Sequence, residues 1–380
     1  MPISQVASSR SQVEPLQGIL YAIRTRQTSD PRDRAYASYA ILSSLGVKLT
    51  PPDYSKEVGP VYLEHFTNLL HWDPGFLNLI IDVAGEPLPG SASWVPNWHT
   101  RSKPSWIGSP RIYKHSNGNE TAITVDSFNE STCLIVSGQL IGRSQQQMSP
   151  FHRLERSVNS SFDSSEPQLS EQEEEDLLIT AFNFAEWVDR VHLNATVRYT
   201  DSIPRIVAFV LGLRYKEGQL PEHVTRTADI DGSSFDSSVD DGKFESCYRR
   251  IREIPVSVLE LCRTENSHQL SANLVRQYVF PSGGTDSDEN TMIASQLRLL
   301  NNLIAGKRSL TVTHNGLVGC GPERMRPNDH IFWISGVSVP MVLRPRSGLN
   351  GENSGYTVVG PAFLYDCERP TEMSSQLCIY

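Results

Sequence analysis

The chain has 380 residues, 38% hydrophobic and 20% charged, with a formal net charge of −9 at pH 7. That length accommodates roughly two or three hydrophobic cores, and the composition excludes collagen, a disulfide-stapled miniprotein and a coiled-coil rod. No run nears the ~20 apolar residues that cross a bilayer. Met1-Pro2-Ile3-Ser4-Gln5 opens a polar lead where a signal peptide would place ~7–15 apolar residues, so the expected location is the cytosol or nucleus, with no membrane partner.

Cys133, Cys247, Cys262, Cys320, Cys367 and Cys378 form no CxxC and stand apart from clustered histidines. No metal site is expected, and a reducing compartment argues against disulfides. The net charge is local. Windows 155–176, 226–245 and 282–290 hold 17 acidic residues against Arg156, Arg226 and Lys243, a net of −14, which leaves +5 for the rest. Rich in Ser, Asp, Glu and Gly, these windows read as solvated, disordered insertions. The remainder lacks the density of Lys and Arg that a phosphate-tracking surface needs, so nucleic acid is not an expected partner.

In chain order, 1–29 is a polar lead with a short helix. A helix over 30–46 follows, with Asp30 as N-cap, Pro31 at the first helical position, Asp33 at N3 and Gly46 as its stop. Pro51-Pro52-Asp53-Tyr54 is an extended connector. Val61, Leu63, Phe66, Leu69 and Leu70 predict a second helix, with Pro60 in its first turn or before it, and Gly75–Ala84 a third. Ser93-Trp94-Val95-Pro96-Asn97-Trp98 is an aromatic turn able to clamp over an apolar surface. A strand is expected over 131–141, alone or with a second strand near it, and helices over 172–192, 202–213, 254–263 and 290–305. From Lys307 the period becomes strand-like: 309–313, 317–320, 330–335, 340–343 and 356–360 alternate with turn formers, and Asn315-Gly316 is a two-residue hairpin signal. The expected fold class is α+β, with a mainly helical body over 30–306 and a compact antiparallel β-sheet or small barrel over 307–380.

Four ordered landmarks carry a resemblance. They are Asp30-Pro31-Arg32-Asp33-Arg34-Ala35-Tyr36-Ala37; Asp53-Tyr54-Ser55-Lys56 with Tyr62 following; Ser93-Trp94-Val95-Pro96-Asn97-Trp98; and a C-terminal block of Gly319, Cys320, Gly321, Pro322, Pro327, Asn328, Asp329, Gly336, Pro340, Met341, Val342, Leu343, Arg344, Tyr356 and Gly360. This pattern resembles the part of fungal heterokaryon-incompatibility (HET) domain proteins downstream of the HET domain. The Tyr-x-x-Leu-Ser-Tyr-x-Trp-Gly and Cys-Ile-Asn-Gln segments of that domain do not occur, so on this reading the chain lacks it and looks truncated. Gly59-Pro60 also departs from the usual helical residues after Asp-Tyr-Ser-Lys. The resemblance implies a role in non-self recognition and programmed cell death.

Residue by residue, structural duties compete with chemistry. Asp30, Arg32 and Asp33 suit a capped helix with an ion pair, or an anion site. Cys320, with His314 and His330 near in sequence, is the one nucleophile candidate, set against a buried cysteine in a glycine turn. GxGxxG, P-loop, HExxH and GxSxG patterns are absent, and no cofactor is expected. The leading expectation is a regulatory or recognition module that works by contact with another protein. A small-molecule enzyme or pathway accessory using Cys320, and a fragment without function, stand as alternatives.

Overall fold

The computed structural model describes residues 16, 19–20, 22–23, 26–83, 86–99, 123–128, 131–147, 171–195, 206–207, 210, 241–265, 268–281, 288–304, 308–347, 353–371 and 373–380. Among these, the helices are α1 (Asp33–Tyr36), α2 (Tyr39–Ser44), α3 (Val58–Trp72), α4 (Glu171–Ala195), α5 (Asp241–Arg252), α6 (Val256–Glu265), α7 (His268–Val279) and α8 (Asp288–Ile304), with a 3-10 helix at Pro74–Asp82. The strands are β1 (Thr124–Phe128), β2 (Ser131–Gln147), β3 (Arg308–Thr313), β4 (Val318–Pro322), β5 (His330–Ile334), β6 (Met341–Ser347), β7 (Asn353–Pro361), β8 (Phe363–Leu364) and β9 (Ser375–Ile379). The fold class is α+β. The chain divides into two compact units, the first made of 1–144, 324–363 and 368–380 and the second of 145–323 and 364–367.

In the first unit the single helix expected over 30–46 is two short ones. The expected cap shifts: the first helix begins at Asp33 with Arg32 at the N-cap position and no side-chain cap bond, while Asp30 Oδ1 accepts the Arg32 backbone N–H at 2.9 Å and holds the turn before the helix. At the far end Val47 N–H bonds Leu42 C=O and Gly46 N–H bonds Ser43 C=O, both at 3.0 Å, with Gly46 at φ +86°. This pair of bonds is a Schellman motif, and its left-handed residue explains the glycine.

Helix α3 begins at Val58, so Pro60 is its third residue, where a missing N–H breaks no helical bond. Gly59 is needed for closeness: a Cβ there would lie 2.0 Å from the Pro89 carbonyl oxygen. The Gly59-Pro60 departure thus seats the start of α3 against the 89–90 turn. Val61, Tyr62, His65, Phe66, Leu69 and Leu70 recur at helical spacing and are all buried. The helix expected near Gly75–Ala84 is a 3-10 helix, started by Pro74 and by Asp73, whose side chain accepts the Gly75 N–H at 2.7 Å. Apolar spacing over nine residues does not distinguish the two helix types.

These helices pack on a sheet in which β2 pairs antiparallel with β1, β5 and β9, β5 with β6, and β6 with β7. β7 and β9 meet in parallel, with Tyr356 opposite Ile379. The sheet is therefore mixed, not antiparallel throughout. Phe66, Trp94, Leu134, Val136, Phe332, Met341, Leu343, Leu377 and Ile379 share one core with α3 and the 3-10 helix. β8 and β9 were not expected, whereas β1 is the second strand allowed for near 131–141; β9 is a short polar-apolar alternation in which only Leu377 and Ile379 are buried.

In the second unit α4 presents Leu177, Leu178, Ala181, Phe184, Ala185 and Val188 to the interior, the face expected from its spacing. It packs on α5, α7 and α8, and ion pairs Arg276–Glu174 (2.6 Å) and Arg298–Glu173 (2.9 Å) tie α7 and α8 to its acidic start. Residues 155–170, 226–240 and 282–287 of the acidic windows, and most of the helix expected over 202–213, lie outside the described residues. The described remainders, 171–176, 241–245 and 288–290, are helix and not insertion. β3 and β4 form the expected hairpin, but with three connecting residues: Thr313 N–H bonds Leu317 C=O at 2.9 Å and Gly316 takes φ +80°. A type I turn followed by a left-handed glycine accounts for the extra residue.

One expectation is overturned. Cys133 on β2 and Cys378 on β9 form a disulfide, with Cα atoms 6.1 Å apart. The pair is 245 residues apart in sequence and meets only because β9 docks antiparallel beside β2, with Ile135 opposite Cys378. Spacing rules for cysteine motifs are blind to such a contact.

Candidate functional site

The first two landmarks form one polar network. Arg32 grips the Asp30 carboxylate with both edges of its guanidinium, Nε–Oδ1 2.9 Å and Nη2–Oδ2 2.7 Å. Nη1 donates to the carbonyl oxygens of Tyr54 and, at 2.9 Å, Lys56. This pairing holds the Asp30 carboxyl below the usual carboxylate range. Tyr54 returns its hydroxyl to Asp33 Oδ1 at 2.7 Å, Tyr36 OH donates to the Asp53 carbonyl at 2.8 Å, and Tyr62 OH donates to the Pro31 carbonyl at 2.7 Å. Arg32 thus spends its donors on the protein's own carboxylate and backbone, fastening the 53–56 connector to the 30–36 turn.

The third landmark folds onto α3. Trp94, Val95, Pro96 and Trp98 are buried. Trp94 lies 5.8 Å from Phe66, and Trp98 lies 5.2 Å from Tyr62 and 4.7 Å from the imidazole of His65, ring centre to ring centre. Arg34 donates to the carbonyl oxygens of Trp98 and His99. Trp94 Nε1 reaches the Thr132 carbonyl at 3.5 Å. Ser93 is a junction: its N–H meets the main-chain oxygen of Tyr380 at 3.1 Å, its hydroxyl donates there too, and its Oγ accepts the Val358 N–H at 2.9 Å. His65 stacks on Tyr39 at 5.6 Å, and burial pushes its pKa down to about 3, so it is neutral.

In the fourth landmark, Asp329 is 2% exposed and receives Arg344 bidentately, Nε–Oδ1 and Nη2–Oδ2 both 2.9 Å. Asp329 Oδ2 also accepts the Arg326 N–H at 2.7 Å, and Arg344 Nη2 reaches the Arg324 carbonyl at 2.6 Å. The turn is strapped to β2 by Ser144 N–H to Asp329 O and Asn328 N–H to Ser144 O, each 2.8 Å, with Asn328 at φ +67°. Arg324 bonds Glu86 at 2.8 Å. Gly336 sits in the β5–β6 turn, the Pro340 carbonyl accepts the Ala362 N–H at 2.7 Å, Leu343 is fully buried, and Gly360 pairs with Val342. His330 contacts Tyr356, with Nδ1 3.5 Å from the hydroxyl; burial, aided by Arg143, lowers its pKa.

Cys320 belongs to the second unit. It lies mid-strand in β4 opposite Leu310, flanked by Gly319 and Gly321 with Pro322 closing the strand, is 1% exposed, and directs Sγ to the Val210 carbonyl at 3.7 Å. His314 is exposed in the hairpin turn, and His330 belongs to the first unit. Among the described residues no cluster of His, Cys, Asp or Glu is arranged to hold a metal ion. His65 and Arg324 were not singled out from the sequence, and Arg34 and Ser93 entered only as members of the first and third landmarks. His65 shows only as one position on the buried face of α3.

With this geometry in view, comparison with known families is decisive for one segment. Residues 288–368 match the Het-6 beta-barrel domain. The HET resemblance is thereby shown for a HET-associated region that includes α8 and β3 to β8. The match does not extend to a HET domain. No curated protein and no solved structure matches the chain. Of the fourth landmark, all residues from Gly319 to Gly360 lie inside the matched segment; the first three landmarks lie outside it.

Proposed function

We propose that the chain is a recognition or regulatory module of the HET type, acting in non-self recognition through contact with another protein in the cytosol. The observation that carries this reading is the Het-6 beta-barrel match over the segment containing the Asp329–Arg344 turn. Its support from geometry is the use to which the landmark residues are put. Arg32, Arg344, Asp329, Trp94 and Trp98 are taken up by the protein's own carboxylates, carbonyls and rings. Residues consumed in this way build a frame, and a framed surface recognises a partner by shape and charge.

Forced heterokaryons of a filamentous fungus test the proposal. One nucleus expresses the chain, and the partner nucleus comes from a panel of wild isolates. The expected outcome is loss of heterokaryon viability with some isolates and not others, unchanged by Cys320→Ala. Equal viability with every isolate overturns the proposal, as does a measurable turnover by the purified chain that vanishes in Cys320→Ala.

A further inference from the structure

We propose that Cys133–Cys378 is a reversible redox clasp that controls how the Trp94–Trp98 segment is held. Both ends of the disulfide adjoin the anchors of that segment. Thr132, one residue before Cys133, offers its carbonyl to Trp94 Nε1 at 3.5 Å. Tyr380, two residues after Cys378, offers its main-chain oxygen to both the N–H, at 3.1 Å, and the hydroxyl of Ser93. Ser93 in turn accepts the Val358 N–H at 2.9 Å, so the position of β9 is relayed to β7 and to the aromatic turn together.

β9 is short. It has five residues, which pair antiparallel with β2 from Ser375 to Ile379, meets β7 at the single position Tyr356–Ile379, and buries only Leu377 and Ile379. The covalent link adds to the ladder that holds this short strand on β2. The bond is also reachable from one side, since Cys378 is partly exposed whereas Cys133 is 3% exposed.

The exchange is an ordinary thiol–disulfide reaction. A small-molecule thiolate attacks Cys378 Sγ, the S–S bond breaks, and the electron pair leaves on Cys133 Sγ, which takes up a proton. A second thiolate attacks the mixed disulfide, releasing the Cys378 thiolate and a small-molecule disulfide. Two protein sulfurs are reduced and two small-molecule thiols are oxidised; the reverse reaction closes the clasp. In the reduced protein β9 keeps its two apolar anchors but loosens, and Ser93 and Trp94 loosen with it.

The full chain is equilibrated with excess glutathione disulfide or excess reduced glutathione, alkylated and mapped by mass spectrometry, with hydrogen exchange followed on the same samples. The expected result is a Cys133–Cys378 cross-linked peptide in the first sample and two alkylated cysteines in the second. Exchange over 91–99 and 375–380 should be at least about tenfold faster in the reduced protein and return on reoxidation. In Cys378→Ser these two segments should exchange alike under both conditions; if that variant does not fold, the wild-type readings decide alone. Three results overturn the proposal: both cysteines alkylated in the presence of the disulfide, a cross-link that leaves exchange over 91–99 unchanged, or reduction that unfolds the whole chain.

Discussion

Asp30–Arg32 and Asp329–Arg344 are the same chemical pair in two settings. Each is a bidentate carboxylate–guanidinium contact with further guanidinium bonds to backbone carbonyls. The first is open, with side chains 27% and 24% exposed, and water can replace either partner. In the second the Asp329 side chain is 3% exposed, so the carboxylate depends on Arg344 and the Arg326 N–H for its solvation. The difference teaches that ion pairs with the same bonding pattern carry unequal weight: burial, and not the number of bonds, sets the cost of losing a partner.

The largest effect is therefore expected from Arg344→Met, which strands a buried carboxylate. Chemical denaturation should show a loss of about 3 kcal/mol with an unchanged slope. A loss equal to that of Arg32→Met would break the comparison.

Between the two pairs stands His65, buried and neutral on the same α3 face that receives Trp98. Its folded pKa of about 3 lies below the ordinary histidine value of 6.5, so between those values the unfolded chain binds a proton that the folded chain does not. Stability from this group is complete above pH 6.5 and is lost as pH falls. At pH 5 the loss is about 2 kcal/mol relative to neutral pH. The stability difference between wild type and His65→Phe, measured at pH 7 and pH 5, should shift by that amount in favour of the variant; no shift would show that the imidazole takes up a proton in the fold.

The smallest effect is expected from Arg32→Met. Its denaturation midpoint should move least of the three, and the shift should shrink further in high salt. A salt-independent loss would place Asp30 with Asp329.

Legibility in the sequence followed the range of the interactions. Gly46 at its stop, the buried face of α4 and the β5, β6 and β7 strands were readable, because capping and periodicity are local. What the sequence did not show was set by neighbours distant in the chain. β9 has too few apolar residues to declare itself and is a strand because β2 and β7 flank it. Cys133–Cys378 follows from that docking. The same holds for the site: Trp94 and Trp98 stood out by type, whereas Ser93, joined to Val358 and Tyr380, is an ordinary serine until the sheet is assembled. α5 and α7 escaped notice for a different reason, as polar residues outnumber apolar ones along the first and equal them along the second.

The functional reading rests on the landmark residues acting as a frame, and a pair of double-mutant cycles tests that most directly. Asp329→Asn with Arg344→Met, and Asp30→Asn with Arg32→Met, are compared by denaturation under one set of conditions. The account predicts a coupling energy clearly larger for the buried pair, and a doubly substituted Asp329/Arg344 protein more stable than Arg344→Met alone. Equal couplings in the two cycles, or no coupling at Asp329–Arg344, would contradict it.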